Sequence, residues 1–151
     1  DVTSSPVIDG LNIYTVAYQG KIAAVDRVNA RTLWSRDISS YTGIHIDGAR
    51  IYVSHTGGAI YSLALESGKT YWRQGDLLNR KLTTPLGMDD YVAVGDLEGY
   101  IHILDKETGA FLGRIQLDDD ALPVMRRMVE FETGKFLAQT RNGGLYAIAI
   151  Q

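Results

Sequence analysis

One phrase is written four times along this chain. It reads GKIAAVDRVNA at 20–30, GAIYSLALESG at 58–68, GYIHILDKETG at 99–109 and GGLYAIAIQ at 143–151. Anchored on Gly20, Gly58, Gly99 and Gly143, the copies stand 38, 41 and 44 residues apart. Two positions after the anchor come Ile22, Ile60, Ile101 and Leu145, and five after it Val25, Leu63, Leu104 and Ile148. Seven before it come Ile13, Ile51, Val92 and Phe136. Trp34 and Trp72 share the column fourteen residues after the anchor, where the third copy has Gly113. Repetition at a fixed period near 40 restricts the chain to architectures that stack one supersecondary unit many times.

Each unit reads as a four-stranded antiparallel meander. A β-rich run (IYTVAYQ, IYVSHTG, YVAVGDL, KFLAQTR) leads to the anchor glycine, and a second (KIAAVD, AIYSLA, YIHILD, GLYAIA) leaves it. Glycine between two such runs is a hairpin signal, because it adopts positive φ without steric cost. A turn at VNAR, ESGK or ETGA leads to an outer run (TLWSRDI, TYWRQGD, FLGRIQL), and a short run (SPVID, GIHID, TPLGM) precedes the first. The middle runs are apolar at successive positions, which suits sheets covered on both faces. No segment has a sustained helical period, so no helix longer than a turn or two is expected. Units of four strands and about 40 residues predict an all-β β-propeller. The chain supplies about four blades, over approximately 4–40, 41–80, 81–119 and 120–151, as a single partial propeller in which the last blade lacks its outer strand. Trp34 and Trp72 are expected at equivalent, largely buried sites on the outer part of successive blades, each covering the gap to the next.

Composition excludes several classes. The net charge of −3 with both signs dispersed argues against nucleic acid as a partner. No apolar run approaches the length of a membrane helix. The absence of cysteine removes disulfides, thiolate metal sites and cysteine catalysis. With Asp1 in first place and no signal peptide, the chain reads as a mature product or an excised fragment.

The pattern DG-x-IY…G-x-I-x-A-x-D-x-x-x-G-K-x-x-W resembles the quinoprotein (PQQ) propeller repeat, most closely in DGLNIYTVAYQGKIAAVDRVNARTLW (9–34) and DGARIYVSHTGGAIYSLALESGKTYW (47–72). Ala30 departs from the motif glycine, and the fourth unit has no DG turn. Within that superfamily the whole chain is similar to the C-terminal half of the propeller lipoproteins of the outer-membrane β-barrel assembly machinery. DVTSSPV at the start, WRQGDLLNRKLTTP (72–85) and VGDLEGYIHILDKETG (94–109) carry this narrower likeness. The resemblance implies an eight-bladed ring, of which this chain would be half, and a lipid-anchored protein on the periplasmic face of the outer membrane. It also implies a non-catalytic scaffold that docks the periplasmic domains of the barrel-assembly outer-membrane protein and aids unfolded outer-membrane proteins. The alternative is a fragment of a quinoprotein-type dehydrogenase or of a ligand-sensing propeller.

Catalytic and metal constellations are sparse. Quinoprotein dehydrogenases need calcium, a catalytic aspartate and commonly paired cysteines, whereas Asp26, Asp105 and Glu107 fall in turns that such residues cap. His45, His55 and His102 lie on different strands with no ligand spacing. No cofactor and no metal is expected. DDD at 118–120 lies close to MRRM at 125–128, which reads as a solvated loop with local ion pairs or as a docking surface. In QGDLLNRKLT (74–83), Leu77 and Leu78 stand beside Arg80; the leucines either pack under a blade edge or join Arg80 in an apolar–basic patch for a partner. The resemblance implies a further contact at Asp1, which matches the first acid of a family D-V-D pair, while Thr3 replaces the second. A half ring would also leave apolar blade faces and a strand edge open, inviting self-association or pairing with the N-terminal half of the same propeller.

Overall fold

The computed structural model describes residues 4–117, 122–125 and 127–150. Those residues form fifteen strands and no helix. Blade 1 comprises β1 (Val7–Asp9), β2 (Asn12–Val16), β3 (Ile22–Asp26) and β4 (Thr32–Arg36). Blade 2 comprises β5 (Ile44–Asp47), β6 (Arg50–Ser54), β7 (Ile60–Ala64) and β8 (Thr70–Gln74). Blade 3 comprises β9 (Leu86–Met88), β10 (Tyr91–Gly95), β11 (Tyr100–Asp105) and β12 (Phe111–Gln116). Blade 4 has only β13 (Val129–Glu132), β14 (Lys135–Gln139) and β15 (Leu145–Ala149). Every sheet is an antiparallel meander in chain order, and no sheet closes on itself. The first strands of neighbouring blades touch, which places them innermost and the tryptophan-bearing strands on the rim.

The pairing register explains the sequence columns. Ile13 faces Val25 across the β2–β3 ladder, Ile51 faces Leu63, Val92 faces Leu104 and Phe136 faces Ile148. Partners directly opposite share a sheet face, and adjacent residues alternate. These pairs point toward the preceding blade, while the next column (Tyr14, Tyr52, Ala93) points toward the following one. Between blades 1 and 2, Tyr14, Val16, Ile22 and Ala24 thus meet Ile51, Val53 and Leu63. Between blades 2 and 3, Tyr52, Ile60 and Trp72 meet Val92, Val94 and Leu104. Between blades 3 and 4, Leu86, Met88, Ala93 and Ile101 meet Phe136 and Ala138.

Each complete blade also carries a bulge where the third strand meets the fourth, at Ala24/Val25, Ser62/Leu63 and Ile103/Leu104. A bulge adds local twist and re-aims side chains, and here it precedes the tryptophan column. Trp34 Nε1 donates to the Leu65 carbonyl at 3.0 Å, and Trp72 Nε1 to the Lys106 carbonyl at 2.8 Å. Both carbonyls lie seven residues after an anchor glycine in the next blade. The indoles lie flat on Gly68 and Gly109: a Cβ at either glycine would come within 2.5 Å of the ring, and both have positive φ. Only glycine satisfies the conformation and the close approach together. Trp72 is buried and shares its cluster with Leu77 and Leu82 of the inter-blade loop, whereas Trp34 is half-buried. The two sites are equivalent in contacts but not in the degree of burial expected from their shared column.

The end faces differ from the internal ones. Ile22, Ile60 and Ile101 are 0% exposed, but Leu145, in the same column of blade 4, is 68% exposed. Val129 and Phe131 of blade 4 are exposed as well. At the other end Ile13 and Val25 are only half-buried, while Ile51, Leu63, Val92 and Leu104 in their columns are fully buried.

Candidate docking site

The segment between β8 and β9 is a shaped platform with its two leucines pointing opposite ways. Leu77, 4% exposed, packs into the core between blades 2 and 3, while Leu78, 60% exposed, stands out from the surface. The chain runs directly over the anchor glycine of blade 2. A Cβ at Gly58 would lie 2.5 Å from the Leu77 carbonyl oxygen and 2.8 Å from the Leu78 Cα. Asn79 and Lys81 both take positive φ, which turns the chain sharply on either side of Arg80. The Thr83 amide donates to the Gly95 carbonyl, the Leu97 amide to the Arg80 carbonyl, and the Ser54 hydroxyl to the Thr83 carbonyl. An open groove of about 660 Å³ adjoins the loop, lined among others by Tyr41, His55, Asn79, Lys81 and Thr83. Tyr41 stacks on Tyr18 at 4.1 Å, keeping an aromatic pair at the rim of the same face.

Arg80 is held inward. Its Nη1 donates to Asp96 Oδ2 at 2.6 Å and to Glu98 Oε2 at 3.0 Å. Asp96 is fully buried, and its Oδ2 also meets His102 Nε2 at 2.9 Å. Asp96 Oδ1 accepts from the amides of Glu98 at 2.9 Å and Tyr100 at 3.0 Å. Burial alone would raise the Asp96 carboxyl, but the donors from His102, Arg80, Tyr100 and Glu98 outweigh it and hold it below its ordinary value. A carboxyl depressed in the folded state stabilises the fold at pH above its unfolded value, near 3.9. That contribution disappears as pH falls through the lower folded value, because the unfolded chain takes up the proton first. Urea unfolding followed from pH 6 down to pH 2 should therefore show stability falling in the acid range. In Asp96→Asn the fall over that range should be shallower, and an unchanged acid slope would show that the carboxylate is not linked to folding.

The other expected residues are dispersed. Asp1 and Thr3 lie outside the described residues, as do 118–120 and Arg126 of the acidic and basic runs. Asp26 and Asp105 cap their own turns, accepting from the Val28 and Asn29 amides and from the Glu107 and Thr108 amides. His45 Nδ1 accepts from the Gly87 amide, and His55 Nδ1 from the Gly57 amide. Among the described residues no group of three or more His, Asp or Glu could hold a metal ion. The Asp96–His102 pair was missed in the sequence. The signal available was its symmetry about an anchor, three residues before and three after Gly99, on either side of one hairpin.

The model of the family described as outer membrane protein assembly factor BamB matches residues 1–74 and 56–151, which together cover the chain. The chain belongs to the BamB family. A BamB of Shewanella oneidensis is 34% identical over 150 residues, spanning 99% of this chain and 37% of its own length. A BamB of Pseudomonas aeruginosa is 35% identical over 144 residues, spanning 95% of this chain and again 37% of its own. The chain thus covers little more than a third of these BamB relatives. The crystal structure of BamB from Moraxella catarrhalis superposes on the whole chain with a TM-score of 0.89 at 24% identity, using 45% of that structure, and establishes the shared β-propeller fold.

Proposed function

We propose that this chain is a non-catalytic docking part of the machinery that assembles outer-membrane proteins, working at the periplasmic face of the outer membrane. Its BamB relatives are named outer membrane protein assembly factors. The observation that carries the docking role is the loop between β8 and β9. Leu77, the Arg80–Asp96 pair and Gly58 fix its backbone, so Leu78 is presented with little ordering left to be done on binding. Preorganisation of this kind reduces the entropic cost of association. The partner in this reading is the periplasmic part of the barrel-assembly outer-membrane protein, with the groove beside Tyr41 open to unfolded outer-membrane polypeptides. The two open blade faces are reserved for the N-terminal half of the same propeller or for a second copy.

The test is binding of the purified chain to the periplasmic domains of the barrel-assembly protein, with Leu78→Asp as the variant. Leu78 is exposed, so the variant should keep its thermal midpoint yet bind at least about tenfold more weakly, as expected for a buried anchor. Unchanged affinity would remove the loop from the docking surface.

A further inference from the structure

Blades 2 and 3 meet along their innermost strands through a titratable acceptor. Gly87, in the middle of β9, donates its amide to His45 Nδ1 on β5 at 3.0 Å. Among the described residues this is the only hydrogen bond between those two strands. The backbone is pressed close here: a Cβ at Gly87 would lie 2.5 Å from the Tyr52 ring and 3.0 Å from Asp47 Oδ2. Gly87 is buried, so its N–H has no solvent to turn to if the imidazole withdraws. Val7 and Leu86 occupy the register position of His45 in blades 1 and 3, and neither side chain can accept a hydrogen bond.

An imidazole that accepts at Nδ1 carries its hydrogen on Nε2 and is neutral. Protonation puts a second hydrogen on Nδ1, where two donors would then face one another. The bond to Gly87 therefore exists only in the neutral form. Burial of the ring opposes the charged form and holds the His45 pKa below its ordinary value. Asp47 on its own strand and Glu130 on β13 favour the charged form, while Arg127 before β13 and Lys106 after β11 oppose it. Lys106 Nζ is itself paired with Asp47 Oδ2 at 2.7 Å. Tyr52, directly across the β5–β6 ladder, is pushed up to about 12 and stays neutral. β9 adds no titratable group, and β1 on the other side carries Asp9 alone. With its folded value depressed, the contact contributes fully above about 6.5. It is lost as pH falls from there through the folded value, because the unfolded chain takes up the proton first.

We propose that His45 is a pH-sensitive latch on the inner end of the seam between blades 2 and 3. Neutral, it holds β9 against β5 through the Gly87 amide; with a proton taken from solvent onto Nδ1, it lets β9 go. The rim of the same seam is fastened by Trp72 Nε1 on the Lys106 carbonyl and Gln74 Nε2 on the Gly109 carbonyl. Ahead of the two inner strands, Thr84 Oγ1 donates to the Thr42 carbonyl. None of these groups titrates in the same range, so blade 3 tilts about them instead of separating. His55 provides the contrast: its Nδ1 accepts from the Gly57 amide two residues on, so its protonation disturbs one exposed turn and no seam. The latch does not depend on the docking reading above.

The experiment is a pH titration of the ¹⁵N-labelled chain from pH 8 down to pH 4. At pH 8 His45 should show the Nε2–H tautomer. On acidification its ring nitrogens and the Gly87 amide should move with one shared midpoint below about 6.5. Exchange protection of the Gly87 amide, relative to the unfolded chain, should fall about tenfold across that midpoint, while the Trp72 indole N–H keeps its protection. His45→Asn places an amide oxygen where Nδ1 lies, so it should keep the Gly87 amide protected and remove its pH dependence. His45→Phe has no acceptor and should leave that amide poorly protected at every pH. If His45→Phe does not fold, the native chain and His45→Asn decide between the outcomes. An Nδ1–H tautomer at pH 8, a Gly87 amide that does not follow His45, pH dependence that survives in His45→Asn, or loss of Trp72 protection at the same midpoint would each overturn the proposal.

Discussion

Trp72→Ala is expected to cost about 3–5 kcal/mol, the range for deleting a buried aromatic side chain. For a chain of this size that lowers the thermal midpoint by roughly 10 °C. Trp34→Ala should cost about half as much, since Trp34 is only half-buried although it makes the same hydrogen bond. The contact with the glycine beneath provides a sharper test. Gly109→Ala forces an alanine into positive φ, worth about 1–2 kcal/mol, and drives its Cβ against the Trp72 ring, adding overpacking of about 1–3 kcal/mol. In a Trp72→Ala background the second contribution vanishes, so the two substitutions should be strongly non-additive. Urea unfolding of the four proteins in the cycle gives the coupling directly. Simple additivity would mean that the indole does not rest on Gly109.

The second large effect is association. Leu145, Val129 and Phe131 lie exposed on the outer face of blade 4, and Ile13 and Val25 are incompletely covered on blade 1. At about 25 cal/mol per Å², burying even several hundred Å² of such surface contributes on the order of 10 kcal/mol before the entropic cost of association. Among the described residues β15 pairs only with β14, which leaves its other edge open. Sedimentation of the chain should show a dimer growing with concentration. If blade 4 of each copy meets blade 1 of the other, the two contacts are identical and the ring closes with two-fold symmetry. Leu145→Asp should return the chain to a monomer with its blades intact. A native chain that stays monomeric at about 100 µM, well above the Kd such an interface implies, would show that these faces do not bind one another.

Most of the architecture was readable because each column has one physical cause. The anchor glycine, the residue seven before it and the residue five after it recur since the last two are cross-strand partners on a buried face. The shared tryptophan column points to the outer strand, but the glycine partners are not legible, because Gly68 and Gly109 look like ordinary turn residues until the next blade is laid beside them. Ile38, Leu77 and Leu82 were harder still: each sits in a loop yet fills an inter-blade core. The loop at 74–83 stands out in the sequence, which leaves open whether its leucines face in or out; in the structure they divide. Arg80 looked like surface charge because Asp96, its buried counterpart, lies sixteen residues away in the next blade.

Gly113 in the tryptophan column leaves the joint between blades 3 and 4 without an indole clasp. In a linear stack each unit is secured only by its neighbours, so the weakest joint decides where opening begins. Blade 4 is joined to blade 3 without such a clasp, whereas blades 1 to 3 behave as a block fastened twice. Opening among these four blades therefore has a preferred place, starting at the joint between blades 3 and 4 and stopping at the one fastened by Trp72.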